Sequence, residues 1–510
     1  LPSVRNNICL AEYITGKQRV KFGRAAERGI LFLAEISFGT DGWRAVIADD
    51  FTFANIRRVS QAIALHLQEK KLARQGIVIG FDTRFLAEEF AQAVAEVMAG
   101  NGIRVYLCAR HAPTPAVAYA VKNLKAGGAV MLTASHNPPQ YSGIKFIPDY
   151  AGPAMPEDVD PIVANLQRIT DGGKIKILPL SQAKRDGLLE AADPLPAYAR
   201  HLEKLIDFAA IREAGIKAVF DPMYGAGMNY LDVILAEHGC ELEVIHNWRD
   251  PLFGGSLPDP SFRHLKELLE RVRESGANIG LALDGDGDRL GAVDGDGRFF
   301  SPNEILALFL EYLITYRGER GAVARTVATT HLLDRIAGHY GLSVVETPVG
   351  FKYIGCALRE QGAFLGGEES GGISTSSHIP EKDGIFAALL FLEMLAKTGE
   401  KAAELLAGIQ SRFGPVYSER LDFHIAPQEK ETILNAMQEW QPKELAGVPV
   451  VSVNRIDGVK TVLANGSWCL IRPSGTEPVF RLYVEAGSGE EKKQLQKEIK
   501  ETFFAHVREE

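Results

Sequence analysis

Ile77-Val78-Ile79-Gly80-Phe81 runs directly into Asp82-Thr83-Arg84 and then into a helix-like pattern. A short apolar run rich in β-branched residues, closed by a polar turn, reads as a buried strand. The same order of run, turn and helical periodicity returns at Ala218-Val219-Phe220 before Asp221-Pro222, and at Thr326-Val327-Ala328 before Thr329-Thr330. Repeated strand-then-helix units predict α/β layers with mostly parallel strands. After a helical stretch ending near Gly408 the pattern changes. Val448-Pro449-Val450-Val451-Ser452-Val453 reads as a short strand whose proline suits an edge or a strand start. Trp468-Cys469-Leu470-Ile471 and Phe480-Arg481-Leu482-Tyr483-Val484 flank a turn, and a charged helix follows. This predicts a smaller C-terminal α+β domain, with Phe413-Gly414-Pro415 as its linker.

A chain of 510 residues exceeds what one hydrophobic core organises, so three to four domains are expected. Breaks at Asp193-Pro194-Leu195-Pro196 and at Gly295-Asp296-Gly297-Arg298 divide it into 36–192, 193–296, 297–413 and 414–510. Residues 1–35 carry six Lys and Arg against three Glu. Their acidic residues and lack of a serine-rich run argue against a transit peptide, and they read as a poorly packing extension at a fragment boundary or mis-assigned start. Hydrophobic residues make up 46% and charged residues 24%, with no apolar run long enough to cross a bilayer. A net charge of −9 and a pI near 5.8 argue against a nucleic-acid surface. The expected partners are therefore small phosphorylated ligands, bound by locally gathered Arg and Lys, with neither nucleic acid nor membrane among them. Cys9, Cys108, Cys240, Cys356 and Cys469 are scattered without a CxxC pair, which suits buried thiols in a reducing, cytoplasmic compartment.

Four segments carry chemistry. Thr133-Ala134-Ser135-His136-Asn137-Pro138-Pro139 follows the apolar run Ala129-Val130-Met131-Leu132 and exposes a hydroxyl at a strand end. Ser135 is a candidate nucleophile that needs activation, or else a turn cap. No G-x-S-x-G surrounds it, and neighbours along an extended strand point oppositely, so His136 is poorly placed as its base. In Asp284-Gly285-Asp286-Gly287-Asp288-Arg289 the aspartates at i, i+2 and i+4 share one side of an extended segment. Their mutual repulsion points to a hard divalent cation, magnesium where phosphate oxygen is also held; the alternative is a solvated acidic turn. An EF-hand fails, because its sixth position is Arg289 and its twelfth Gly295. Asp294-Gly295-Asp296-Gly297 reads as a hairpin turn. Gly367-Glu368-Glu369-Ser370-Gly371-Gly372 is by itself an ordinary loop. Arg472-Pro473-Ser474-Gly475-Thr476-Glu477-Pro478 gathers donors suited to a phosphate dianion, with Arg481 as a second charge, or is a polar turn. No G-x-x-x-x-G-K-[ST] loop occurs, so a kinase or NTPase has no support.

Together and in this order, the four segments resemble the α-D-phosphohexomutases, the phosphoglucomutase and phosphomannomutase family, from Phe38 onward. The resemblance implies three similar mixed α/β domains and a C-terminal α+β domain around a central cleft, each supplying one motif. It implies that Ser135 is phosphorylated and that its phosphate oxygen completes the coordination of Mg2+ held by Asp284, Asp286 and Asp288. Glu368 and Ser370 would grip sugar hydroxyls, and Arg472, Ser474, Gly475 and Thr476 the phosphate not being transferred. Thr347-Pro348-Val349-Gly350-Phe351-Lys352-Tyr353 looks like the glucose-preferring branch and brings Gly350 and Lys352 to the sugar. Some relatives carry histidine where this chain has Gly372. Candidates for the remaining catalytic work are Arg44, His136, Lys145, Arg289 and Lys382; Arg44, His136, Lys145, Lys382 and also His378 read individually as surface charges.

The implied activity is interconversion of glucose 1-phosphate and glucose 6-phosphate, with glucose 1,6-bisphosphate as intermediate and activator. Its rivals are a mutase of mannose or glucosamine phosphates, a glucose 1,6-bisphosphate synthase, and a non-catalytic phosphosugar-binding protein.

Overall fold

The computed structural model describes residue 36 and residues 42–425, 427–473 and 479–504. The expected extension, residues 1–35, lies outside the described residues. The first sheet is built from β1 (Trp43–Val46), β2 (Ile77–Phe81), β3 (Val105–Cys108), β4 (Gly128–Leu132), β5 (Tyr141–Pro148) and β6 (Leu189–Ala192) in the order β1-β5-β4-β2-β3-β6. The second comprises β7 (Ala218–Asp221), β8 (Leu242–Val244), β9 (Ile279–Leu283), β10 (Leu290–Asp294) and β11 (Phe299–Phe300), ordered β11-β10-β9-β7-β8. The third comprises β12 (Ala322–Thr326), β13 (Val344–Thr347), β14 (Ala363–Gly367) and β15 (Ile373–Thr375), ordered β13-β12-β14-β15.

One four-strand arrangement recurs in all three. β2, β7 and β12 end in the polar turns that lead into helices Ala87–Gly100, Leu231–Glu237 and Leu332–His339. Each pairs in parallel with a buried strand, β4, β9 or β14, whose other edge meets an antiparallel strand, β5, β10 or β15. The sheets are thus mixed, because each parallel core is extended by a hairpin. Helices cover the parallel strands closely: a Cβ on Gly80 would stand 2.4 Å from Val117 Cγ2 on helix Thr114–Leu124.

The fourth sheet is antiparallel throughout, running β16 (Tyr417–His424), β21 (Val479–Ala486), β20 (Trp468–Pro473), β19 (Val459–Leu463), β18 (Val448–Asn454) and β17 (Glu444–Leu445) across its width. The period-2 alternation of strands divides it cleanly. Phe423, Ile471, Leu482 and Val484 join Leu495 and Ile499 of helix Gly489–Phe503 in the domain core. Trp468, Leu470 and Tyr483 face the other way and pack on Val327 and Ala328 of the third domain. The three mixed α/β domains and the C-terminal α+β domain are those the resemblance implied.

Several local readings change. The hairpin read at Asp294–Gly297 joins β10 to β11, so the second sheet continues past the break placed at 296/297 to Phe300. Helix Ala402–Phe413 runs through Gly408 and stops at Gly414, whose φ of +82° ends it. Of the four described cysteines, all free, Cys108 and Cys469 are buried while Cys240 and Cys356 are half-buried. No helix among the described residues is long and apolar enough to cross a membrane.

Candidate active site

Each motif occupies the turn between two antiparallel neighbours: 133–140 joins β4 to β5, 284–289 joins β9 to β10, and 368–372 joins β14 to β15. The fourth motif begins inside β20, which carries Arg472 and ends at Pro473; its Ser474, Gly475 and Thr476 lie outside the described residues.

Ser135 sits in the left-handed region, φ +50°, which an L-residue occupies only when its surroundings impose it. Those surroundings are identifiable. Thr133 Oγ1 accepts the Ser135 N–H at 2.9 Å. The fully buried Arg84 guanidinium donates to the carbonyls of Ser135 and Asn137, both at 2.7 Å, and of Pro138 at 2.9 Å and Tyr141 at 3.0 Å, while its Nε pairs with Asp82. Arg44 holds the Asn137 side chain at 2.8 Å. So fixed, Ser135 Oγ donates to Asp284 Oδ2 at 2.8 Å and lies 3.3 Å from His136 Nδ1. The expectation that His136 faces away from the serine is therefore corrected: the backbone there is a left-handed turn, without the alternation of an extended strand. Burial, followed by the charges of Arg289 and Arg44, keeps the His136 pKa well below its usual value.

The three aspartates are fully buried, with one carboxylate oxygen from each mutually within 4.8 Å. Asp284 Oδ1 accepts the N–H groups of Asp288 and Arg289, which curls the loop. Gly285 permits close approach to the serine loop, since a Cβ there would lie 2.5 Å from the Ser135 carbonyl oxygen. Lys145 Nζ donates to Asp286 Oδ2 at 2.9 Å, Lys382 Nζ stands 3.0 Å from Asp288 Oδ2, and Arg289 Nε is 3.8 Å from Asp284. Lys145 and Lys382 are thus buried, and the reading of them as surface charges is corrected: their ammonium groups are drawn inward by the carboxylates. Burial, then Asp288 and Asp286, pushes the Asp284 pKa well above the carboxylate range. Burial acts the same way on Asp286, but Lys145 and Lys382 outweigh it and hold that carboxyl low. Asp286 Oδ1 and Asp288 Oδ1 are buried without hydrogen-bond partners among the described residues. Two orphaned acceptors beside a third carboxylate fit a hard divalent cation.

The next loop is zipped to this one through a bridge between Arg289 and Gly372 and a Leu290 N–H to Gly371 carbonyl bond of 3.3 Å. Glu368 Oε1 accepts the Gly350 N–H at 2.8 Å, while Ser370 Oγ reaches Glu368 Oε2 only at 3.5 Å. Burial, reinforced by Glu369, raises the Glu368 pKa to about 7. Lys352 is half-buried, its ammonium 5.2 Å from the Tyr353 ring centroid. Arg472 Nε donates to Asp457 Oδ2 at 3.1 Å, and the same oxygen accepts the Val349 N–H at 3.0 Å. Arg481 lies opposite Arg472 in the β20–β21 register, so both arginines share the sheet face that packs on the third domain.

Four models of the phosphoglucomutase/phosphomannomutase family match: alpha/beta/alpha domain I over 35–172, domain II over 196–297, domain III over 301–413 and the C-terminal domain over 431–502. The chain belongs to this family. A phosphoglucomutase/phosphomannomutase of Thermococcus kodakarensis is 30% identical over 453 residues, 89% of this chain and 95% of its own length. A Methanopyrus kandleri protein assigned as a phosphoglucosamine mutase is 32% identical over 467 residues, covering 91% and 96%. The crystal structure of a Thermus thermophilus protein assigned as a phosphomannomutase superposes with a TM-score of 0.79 at 35% identity, covering 91% of this chain and 98% of the other. The chain is thus a phosphohexomutase-type phosphotransferase.

Three side chains of this candidate site had no signal in the sequence. Arg84 lies in the polar turn that closes β2, where nothing in the sequence marked its side chain. Thr114, whose hydroxyl donates to Asp286 Oδ2 at 2.7 Å, opens a helix after Pro113. Asp457, the link between Arg472 and Val349, lies between strands like any surface aspartate. His378, read as a surface charge, is also buried, where Asp383 and His201 bond both of its ring nitrogens.

Proposed function

We propose that the protein interconverts glucose 1-phosphate and glucose 6-phosphate by phosphoryl transfer through Ser135. The observation that carries this is the 2.8 Å contact of a strained, buried serine hydroxyl with a triad of buried aspartates. Asp284, Asp286 and Asp288 would hold Mg2+, whose contribution when bound is Lewis-acid neutralisation of phosphoryl oxygens. Lys145, Lys382 and Arg289 already bring positive charge to the aspartates here. A divalent cation and a phosphate dianion arriving together leave that balance unchanged.

In the forward transfer the Ser135 Oγ–phosphorus bond breaks, a sugar hydroxyl oxygen takes the phosphoryl group, and the proton that hydroxyl sheds passes to Ser135 Oγ, giving a bisphosphate and the free serine. After the sugar turns over, Ser135 Oγ accepts the other phosphoryl group. His136, kept neutral near pH 7 by burial and by Arg289 and Arg44, is placed to take the serine proton in that step. Arg472 and Arg481, with the loop that follows β20, would hold the phosphate that is not reacting, and Glu368 with Ser370 would orient the sugar. Positioning and charge dominate such transfers.

The glucose preference rests on the likeness of Thr347–Tyr353 to the glucose-preferring branch. Relatives named for glucose, mannose and glucosamine phosphates make the sugar the point to test. Purified protein should convert glucose 1-phosphate in a coupled assay, be stimulated by glucose 1,6-bisphosphate, and incorporate labelled phosphate, whereas Ser135→Ala should do none of these while folding normally. Normal turnover in that variant overturns the nucleophile. Equal kcat/KM for glucose 1-phosphate and mannose 1-phosphate overturns the sugar preference alone.

A further inference from the structure

Lys382 is followed by an acidic residue that is bonded in four directions. Asp383 Oδ2 accepts the Tyr198 hydroxyl at 2.7 Å and stands 2.7 Å from His378 Nε2. Asp383 Oδ1 accepts the Phe386 N–H at 2.9 Å, capping helix Gly384–Thr398, and the Asp383 N–H reaches the Ile373 carbonyl at 3.0 Å. His378 in turn stands 2.9 Å, through Nδ1, from His201 Nε2. The rings of Tyr119, His201, His378 and Phe386 stack in sequence at 4.4, 5.1 and 4.9 Å. The side chains of His378 and Asp383 are wholly buried.

This is more than core packing requires. A phenylalanine would fill the stack at no desolvation cost, whereas a buried imidazole is tolerable only when its nitrogens are paired. Because the carboxylate only accepts, it fixes a proton on His378 Nε2, and the two histidines share one more proton between them. The result defines where Asp383 stands, and its neighbours lie on the triad. The Lys382 ammonium is 3.0 Å from Asp288, and the Gly384 N–H donates to the Gly287 carbonyl at 3.2 Å. A Cβ on Gly384 would lie 2.5 Å from the Arg289 carbonyl oxygen, so the segment cannot shift inward.

We propose that His378, acting through Asp383, is a positioning residue that sets Lys382 against Asp288. This rests on reading the triad as the metal and phosphoryl-transfer site. The test is a double-mutant cycle of His378→Phe and Lys382→Met in the full chain, read by Mn2+ affinity from electron paramagnetic resonance and by kcat and KM. Lys382→Met should tighten Mn2+ binding by removing a competing cation. His378→Phe should tighten it about threefold and lower kcat about tenfold with KM within about twofold, and should add nothing further in the Lys382→Met background. His378→Gln, which keeps a donor toward Asp383, should recover most of kcat. Tyr198→Phe, which removes one hydroxyl, should move both readouts the same way by less and guards against a misfolded His378 variant. Effects of His378→Phe that are equal in both backgrounds, or absent from both readouts, overturn the proposal. If the wild type turns over no sugar phosphate yet the Mn2+ cycle shows coupling, the function reading fails and the positioning role stands.

Discussion

Asp286 divides its two oxygens between different tasks. Oδ2 accepts from Thr114 and Lys145, while Oδ1 is buried with no hydrogen-bond partner among the described residues. Asp286→Asn would place an amide donor against the Lys145 ammonium or remove an ionised ligand from the cation. Titration calorimetry should find divalent-cation affinity weakened about tenfold or more, with turnover down by orders of magnitude; unchanged affinity would refute the metal site. Arg84 is the structural counterpart. Arg84→Ala would strand four loop carbonyls and a buried Asp82, at a cost of about 3–5 kcal/mol in denaturant unfolding. A loss below about 1 kcal/mol would mean that water replaces the guanidinium readily. Sequence made the serine and the aspartates legible, because their chemistry is concentrated within a few residues. It could not distinguish an arginine that turns inward to carbonyls from one that faces solvent, which hid Arg84 and made Lys145 and Lys382 look like surface charges.

Strands were read correctly where periodicity speaks, as at β2 and β7, whereas the run Thr326-Val327-Ala328 meets β12 only at Thr326 and otherwise forms the turn that follows it. The candidate functional turns sit between antiparallel neighbours, and the geometry of the serine turn depends on a positive φ at Ser135 that composition does not encode. A second turn supports the serine loop from outside. Arg249 Nε donates to the Thr83 carbonyl at 3.2 Å and its Nη2 to the Arg84 carbonyl at 3.1 Å, and the loop carrying it, which follows β8, also carries His246. Burial works against a charge on His246, but Asp221 and Glu267 outweigh it and raise the pKa to about 8. Since the folded value exceeds the ordinary 6.5, the stabilisation is complete below about pH 6.5 and lost as pH rises through about 8. Thermal unfolding should show the wild type losing stability across that window, and His246→Gln should flatten the difference. Parallel pH profiles for the two proteins would exclude the histidine as the cause.

Ser135 and Asp284 are separated by 149 residues, and Lys382 reaches the same triad from the third domain. No spacing rule brings such partners together, so the four motifs were legible singly and their convergence only through resemblance. The C-terminal domain joins through Asp457, which ties Arg472 to the Val349 backbone. Arg472→Ala should therefore raise KM and also increase release of the bisphosphate intermediate, measured against wild type by trapping the free bisphosphate. A higher KM with no added release would reduce Arg472 to simple ground-state binding.

The left-handed backbone at Ser135 has a consequence for engineering. Glycine is at ease in that conformation while an L-side chain is strained by about 1–2 kcal/mol. Among inactive variants, Ser135→Gly should therefore unfold at higher temperature than Ser135→Ala, by about 1 kcal/mol of stability; the reverse order would mean that the loop relaxes once the hydroxyl is gone. If Ser135 is the proposed nucleophile, a selection for heat survival and a selection for turnover would pull this codon in opposite directions, and a library screened on robustness alone would drift toward discarding the hydroxyl.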